Sequence, residues 1–269
     1  MEMNRVITEI DDLGVAWVRL NNPDKHNAFD DQMIGQLTHA FAAVADNADV
    51  RVMVLGSTGK SFSAGGDLGW MKRMAGYSHD ENLRDAQALA LMLKALNDIP
   101  QPTIARIQGA AFGGAVGLVS CCDMAVAASA AVFSLSEVKI GLVPATISPY
   151  VIAAIGERAA RRYFLTAERF DAHRAMHIGL VNEVVDAEQL DDQVNALIKS
   201  LLGNGPNAVI AAKKLVFEVS GKPIDQRLID HTCDVIADIR ASTEGQEGLN
   251  AFLDKRKPSW LTKLDELKE

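Results

Sequence analysis

The feature that most constrains this chain is a pair of doubled glycines, each placed just after a short apolar run. They stand in Ser63-Ala64-Gly65-Gly66-Asp67 and in Gly109-Ala110-Ala111-Phe112-Gly113-Gly114-Ala115-Val116-Gly117. Glycine adopts positive φ and lets the backbone approach a neighbour or a ligand closely. The first turn follows RVMVLGS (51–57), which reads as a buried strand between charge and glycine. Taken alone it reads first as an ordinary glycine turn. The second follows a strand-like run at 103–111 and opens a helix at 113–122. Free N–H groups and the positive end of a helix dipole then meet at one spot. Such a spot suits phosphate, or a carbonyl oxygen gaining negative charge; close helix packing is the alternative. Gly59-Lys60-Ser61 is not a phosphate loop, since Val54 stands where the required glycine would be. The alternating glycines of a dinucleotide fingerprint are absent too.

Strand and helix patterns alternate around these turns. GVAWVRL (14–20) is β-rich, and a helix fits 30–47 with Met33, Ile34, Leu37, Phe41 and Val44 on one face. A second helix fits 80–97 and is stopped by Pro100 and Pro102. Short strands are expected over DMAVAAS and 133–135. Helices follow at 148–164, 171–178, 187–202, 206–218 and 225–253. Strands feeding helices imply an α/β core with a helical appendage, and no repeat of fixed period is visible.

Hydrophobic residues make up 48% of the 269, enough for a large core. The net charge of -8 argues against nucleic acid or an anionic membrane as a partner. Cys121, Cys122 and Cys233 form no disulfide framework, which points to a reducing compartment. The start of the chain lacks the basic and apolar segments of a signal peptide, so a cytoplasmic location is expected. His173 and His177 have metal-ligand spacing but no third partner, so no metal is expected. Glu137 is the one carboxylate between Asp123 and Glu157. A carboxylate in so apolar a stretch would be desolvated and poised for proton transfer; a surface pair with Lys139 is the alternative.

From Val15 to Trp260 the chain resembles the crotonase, or enoyl-CoA hydratase/isomerase, superfamily. The resemblance is carried by Asn22–Ala28, Phe62–Leu68, Gln108–Gly114, Phe133–Pro144, Leu165–Ala167, Gly179–Val181, and Glu244-Gly245 leading to Phe252 and Lys255–Pro258, in that order. It implies an α/β spiral of ββα turns over residues 1–200 and a helical C-terminal region over 201–269 that packs in trimers or hexamers. The thioester oxygen of an acyl-CoA would lie between the N–H groups of Gly66 and Gly114, with Glu137 as proton carrier. CoA would run along Lys25, Asn27, Ala28, Ala64, Gly65, Asp67 and Leu68, past Gly113. Phe252 and Lys255 of a neighbouring copy would reach the nucleotide. No cofactor is implied beyond the CoA of the substrate.

Hydratases of this superfamily usually carry a second glutamate, and its place here is Gly117. The local sequences 111–118, 135–142 and 155–163 nevertheless resemble bacterial methylglutaconyl-CoA and isohexenylglutaconyl-CoA hydratases. The implied reaction is hydration of a branched, carboxylated enoyl-CoA, the space at Gly117 admitting the branch. Arg73, Arg84 and Arg162 are candidates to hold the remote carboxylate. A Δ3,Δ2-enoyl-CoA isomerase or a simple-chain hydratase is the alternative, and a catalytically silent binding or RNA-associated protein the remote one.

Overall fold

The computed structural model describes residues 4–261. The expected core and C-terminal region both run past these limits, so their residues 1–3 and 262–269 lie outside the described residues. Two compact units are present. The first comprises the chain up to Ile99 together with Thr103–Asn195; the second comprises Pro100–Pro102 and the chain from Ala196 onward.

In the first unit the elements run β1 (Val6–Ile10), β2 (Val15–Leu20), α1 (Asp31–Ala45), β3 (Val52–Ser57), α2 (Leu68–Met74), α3 (His79–Asn97), β4 (Thr103–Ile107), β5 (Ala111–Phe112) and α4 (Gly114–Cys121). They continue with β6 (Met124–Ala128), β7 (Val132–Ser134), α5 (Ser148–Thr166), β8 (Phe170–Asp171), α6 (Ala172–His177), β9 (Glu183–Val185) and the start of α7 (Leu190–Leu202). The large sheet has the order β1-β2-β3-β4-β6-β9, parallel throughout except for the β1–β2 hairpin. Its central strand β3 is buried along its whole length, which explains a run without polar alternation.

The small sheet, β5-β7-β8, is extended by single-residue parallel bridges, Ser63 to Ala111 and Phe29 to Gly66. Each coil of the chain therefore gives a strand to the large sheet, a short extended piece to the small one, then a helix. This ββα spiral has no matching period in the sequence. Met33, Ile34, Leu37, Phe41 and Val44 of α1 are all buried, and α1 packs beside α3.

The sequence reading contains no α2, β8 or β9, and three further points differ from it. The run 103–111 is not one strand: it breaks at Gln108–Ala110 and changes sheet. Gln108 Nε2 donates to carbonyls of the 57–61 loop, and a Cβ at Gly109 would lie 2.0 Å from the Lys60 carbonyl oxygen, so the chain must turn there. β1 escapes an alternation search because Thr8, Glu9 and Ile10 are all exposed. The expected helix 225–253 is two, α9 (Gln226–Ala241) and α10 (Thr243–Leu253), because extended Ser242 caps the second by accepting the Gly245 N–H at 3.0 Å. Together with α8 (Pro206–Val219) they form the helical second unit.

Candidate active site

The site begins with a loop that must be folded before anything else can be placed. Asn27 has φ 54° and a fully buried side chain. Its Oδ1 accepts the Asn22 N–H at 2.8 Å, and its Nδ2 donates to the carbonyls of Thr58 and Ser61 at 2.8 and 2.9 Å. Asparagine tolerates this left-handed conformation and spends its whole amide on it. Asn27 was expected along the CoA track; its side chain instead pins that loop to the next one. Ala28 follows it, also buried.

Pinning brings Phe29 beside the first doubled glycine. The Phe29 N–H donates to the Gly65 carbonyl at 2.7 Å, and the Asp67 N–H returns to the Phe29 carbonyl at 2.7 Å. A trans peptide sets its C=O and N–H on opposite sides. Holding the Gly65 carbonyl toward Phe29 therefore aims the Gly66 N–H the other way. Only glycine serves at 65: φ is +90° and a Cβ would sit 3.1 Å from the Phe112 carbonyl oxygen.

The second doubled glycine is aimed by the same logic. The Gly113 N–H donates to the Ser134 carbonyl at 2.9 Å, continuing the β5–β7 pairing, and the Gly113 carbonyl accepts the Val116 N–H at 2.9 Å. With φ +56° at Gly113, the Gly114 N–H opens α4 and points away from it. Among the described residues neither the Gly66 nor the Gly114 N–H has a partner. Both glycines are at least partly exposed, so both donors can meet a ligand.

Glu137 lies against Gly113, next to the second donor. It opens the 3-10 turn Glu137–Ile140 after β7, the strand whose Ser134 holds Gly113. Its Oε1 lies 3.2 Å from where a Gly113 Cβ would be, so glycine is needed at 113 for the carboxylate to approach. Its Oε2 is buried without a hydrogen-bond partner. Burial holds the carboxyl above the usual carboxylate range, its own N–H opposing weakly. No ion pair with Lys139 forms among the described residues. Two aimed amide donors, a helix N-terminus and a carboxylate of raised pKa can stabilise an oxyanion and move a proton beside it.

The sequence profile of the enoyl-CoA hydratase/isomerase family matches residues 11–263. The chain belongs to the enoyl-CoA hydratase/isomerase family. Its members are enzymes. The chain is 30% identical over 262 residues to a crotonyl-CoA hydratase of Syntrophomonas wolfei, covering 97% of this chain and 98% of that one. Among solved structures, an enoyl-CoA hydratase from Shewanella pealeana matches with TM-score 0.93 and 46% identity, over 96% of this chain and 97% of that one. Pseudomonas aeruginosa AtuE matches with TM-score 0.91 and 35% identity, over 96% and 99%.

The remaining expected residues fall as follows. Ala64 and Leu68 are exposed beside Gly66, Leu68 at 82%. Lys25 Nζ pairs with Asp67 Oδ2 at 2.8 Å, and Asp67 Oδ1 caps α2 by accepting the Trp70 N–H at 3.0 Å. The Lys25 bond, with the Trp70 cap, holds the Asp67 carboxyl below its usual range against the opposing effect of burial. Phe252 and Lys255 belong to the second unit, Phe252 being 81% exposed. Of the candidate carboxylate holders, Arg73 pairs with Asp31, Arg162 makes a two-pronged bond to Glu168 at 2.6 and 3.1 Å, and Arg84 is exposed.

The expected space at Gly117 does not exist. A Cβ there would lie 2.3 Å from Ile147 Cγ2 and 2.8 Å from Ile147 Cβ, with Leu93 Cδ2 at 3.4 Å. Gly117 is buried, and Ile147, just before α5, fills the volume a side chain would take. Gly117 therefore holds no substrate branch; it admits Ile147. Neither Ile147 nor Trp70, a buried residue against the Gly66 turn, was singled out from sequence. Ile147 acts through a contact thirty residues back in the chain, and Trp70 through one four residues back.

Proposed function

We propose that this enzyme adds water across the double bond of an enoyl-CoA thioester. The thioester oxygen sits between the N–H groups of Gly66 and Gly114, and Glu137 carries the proton. Glu137 takes a proton from water as the oxygen bonds to the β-carbon, charge gathers on the thioester oxygen as an enolate, and Glu137 returns the proton to the α-carbon. Each amide donor contributes roughly 3 kcal/mol to stabilising that charge. The observation that carries this reading is the buried, unpartnered Oε2 of Glu137 on the carboxylate facing Gly113.

The substrate we favour is branched and carboxylated, of the methylglutaconyl-CoA or isohexenylglutaconyl-CoA type. Support comes from the likeness of 111–118, 135–142 and 155–163 to hydratases of that type; Gly117 itself offers no carboxylate, and a substrate carboxylate can help hold the water. Its branch lies away from Gly117. The same single carboxylate also favours a second reading, Δ3,Δ2-isomerisation, in which Glu137 moves one proton between carbons. Incubating a panel of CoA thioesters in deuterated water and weighing the products separates these. Hydration adds the mass of one water and places deuterium on the α-carbon, whereas an isomer of unadded mass refutes hydration.

The reading includes self-association as a trimer or hexamer. Among the described residues α8 and α9 bury no side chain fully, while Val216, Phe217 and Ile224 stand exposed. It also includes a cytoplasmic location, supported by three free thiols, and CoA as a part of the substrate with no further cofactor.

A further inference from the structure

We infer that Asp85 is a positioning residue that fixes the aim of the Gly66 N–H by anchoring the indole of Trp70; this rests on the reading that Gly66 holds the thioester oxygen. Trp70 lies in the first turn of α2, three residues after Asp67, which caps it. Its ring is buried, and Cε3 lies 3.8 Å from the Cβ position of Gly66, with Met71 Cγ and Sδ at 3.4 Å. The face of Gly66 opposite open solvent is thus formed by the first turn of α2. The indole Nε1 donates to Asp85 Oδ1 at 3.0 Å, across to α3, fifteen residues on.

This bond differs from the other ties of α2. Lys25–Asp67 and Arg73–Asp31 join the ends of the helix through side chains that are half-exposed or more on at least one partner, and exposed pairs hold little. The Trp70–Asp85 bond is partly buried, and it ties the ring that lies against Gly66 and not an end of the helix. Asp85 is desolvated, which raises its carboxyl above the usual range, the indole bond opposing. A partly buried carboxylate whose structural partner is an indole against the oxyanion turn serves that turn. Without it, α2 can tilt, and Gly66 loses the wall that fixes its peptide plane.

Three variants test this: Asp85→Ala, Asp85→Asn, which keeps an oxygen acceptor for the indole, and Trp70→Phe, which keeps the ring and removes the donor. Asp85→Ala and Trp70→Phe should each lower kcat about tenfold with KM within about twofold, and the double variant should be no worse than either single. Asp85→Asn should restore kcat to within about threefold of the parent. Amide hydrogen exchange over 66–74 should quicken at least about tenfold in Asp85→Ala and stay unchanged in Asp85→Asn. An unchanged kcat in Asp85→Ala, or an Asp85→Asn as slow as Asp85→Ala, overturns the inference, the latter because the charge itself would then be needed. If the parent turns over no enoyl-CoA, the functional reading fails by itself, and the exchange measurement still decides whether Asp85 holds the turn.

Discussion

Adding one methyl group at Gly117 measures how completely Ile147 closes the second face of α4. Glycine to alanine within a helix ordinarily stabilises by roughly 0.5–1 kcal/mol. Here the new Cβ meets Ile147 Cγ2 at 2.3 Å and Ile147 Cβ at 2.8 Å, where carbon contacts settle near 3.5–4.0 Å. Ile147 is 1% exposed and has no free direction in which to move. Overpacking of that kind costs about 1–3 kcal/mol, so Gly117→Ala should destabilise, and a loss of about 2 kcal/mol corresponds to a fall in Tm of about 4–8 °C. Ile147→Ala costs about 2–5 kcal/mol by itself through the cavity it leaves. It also removes Cγ2 at 2.3 Å and leaves Cβ, at 2.8 Å, beside the space that the lost atoms open. In the Ile147→Ala background the Gly117→Ala change should therefore recover at least about 1 kcal/mol, a coupling that a double-mutant cycle in urea reads directly. A neutral Gly117→Ala in the parent, or an equal cost in both backgrounds, would refute the argument that Ile147 occupies the site.

Further outcomes follow from the same geometry. Glu137→Gln should cut turnover at least ~10²-fold if this carboxylate carries the proton, as measured by steady-state hydration or isomerisation. The Glu137 carboxyl is raised in the fold. Folding thus favours the neutral form more than the unfolded chain does, so its stability contribution is fully present below its unfolded value and is lost as pH rises through the folded value. Thermal shift should show Glu137→Gln gaining on the parent from pH 4 to pH 8, with no gain at the acid end. Asn27→Ala breaks three hydrogen bonds, two of them buried, at a left-handed position and should cost about 2–4 kcal/mol by chemical denaturation. Gly65→Ala meets both a φ of +90° and the Phe112 carbonyl oxygen, so it should lower kcat more than it raises KM as the Gly66 N–H swings out of line.

Much of the site was legible because its chemistry is written in unusual residues. Two glycine pairs after strands and one glutamate in an apolar stretch stand out with no knowledge of contacts, and α1 announces itself through five apolar residues at helical spacing. The rest depends on contacts that sequence does not record. Whether Gly117 is empty space or a seat for Ile147 depends on where the chain returns thirty residues later, and local pattern gives glycine the same appearance in both cases. Asn27 is placed on the CoA track by the family resemblance, yet its side chain is taken up by Asn22, Thr58 and Ser61. Asp85 reads as a polar position on an exposed helix until Trp70 is placed beside it. The β4–β5 break hides inside a continuous run because Gln108 and Gly109 are shaped by the 57–61 loop, a different coil.

The single-residue bridges at Phe29 and Ser63 have a consequence for how the molecule reaches its active form. Phe29 comes from the first coil, Gly66 from the second, Gly114 from the third and Glu137 from the fourth, so no single coil contains the site. Such long-range pairings form late and slowly, since chain closure must precede any reward. Helical signal should therefore return early in refolding, and capacity to bind an acyl-CoA should return only when the last of these coils has been wound. Ligand binding here is a report on the completeness of winding.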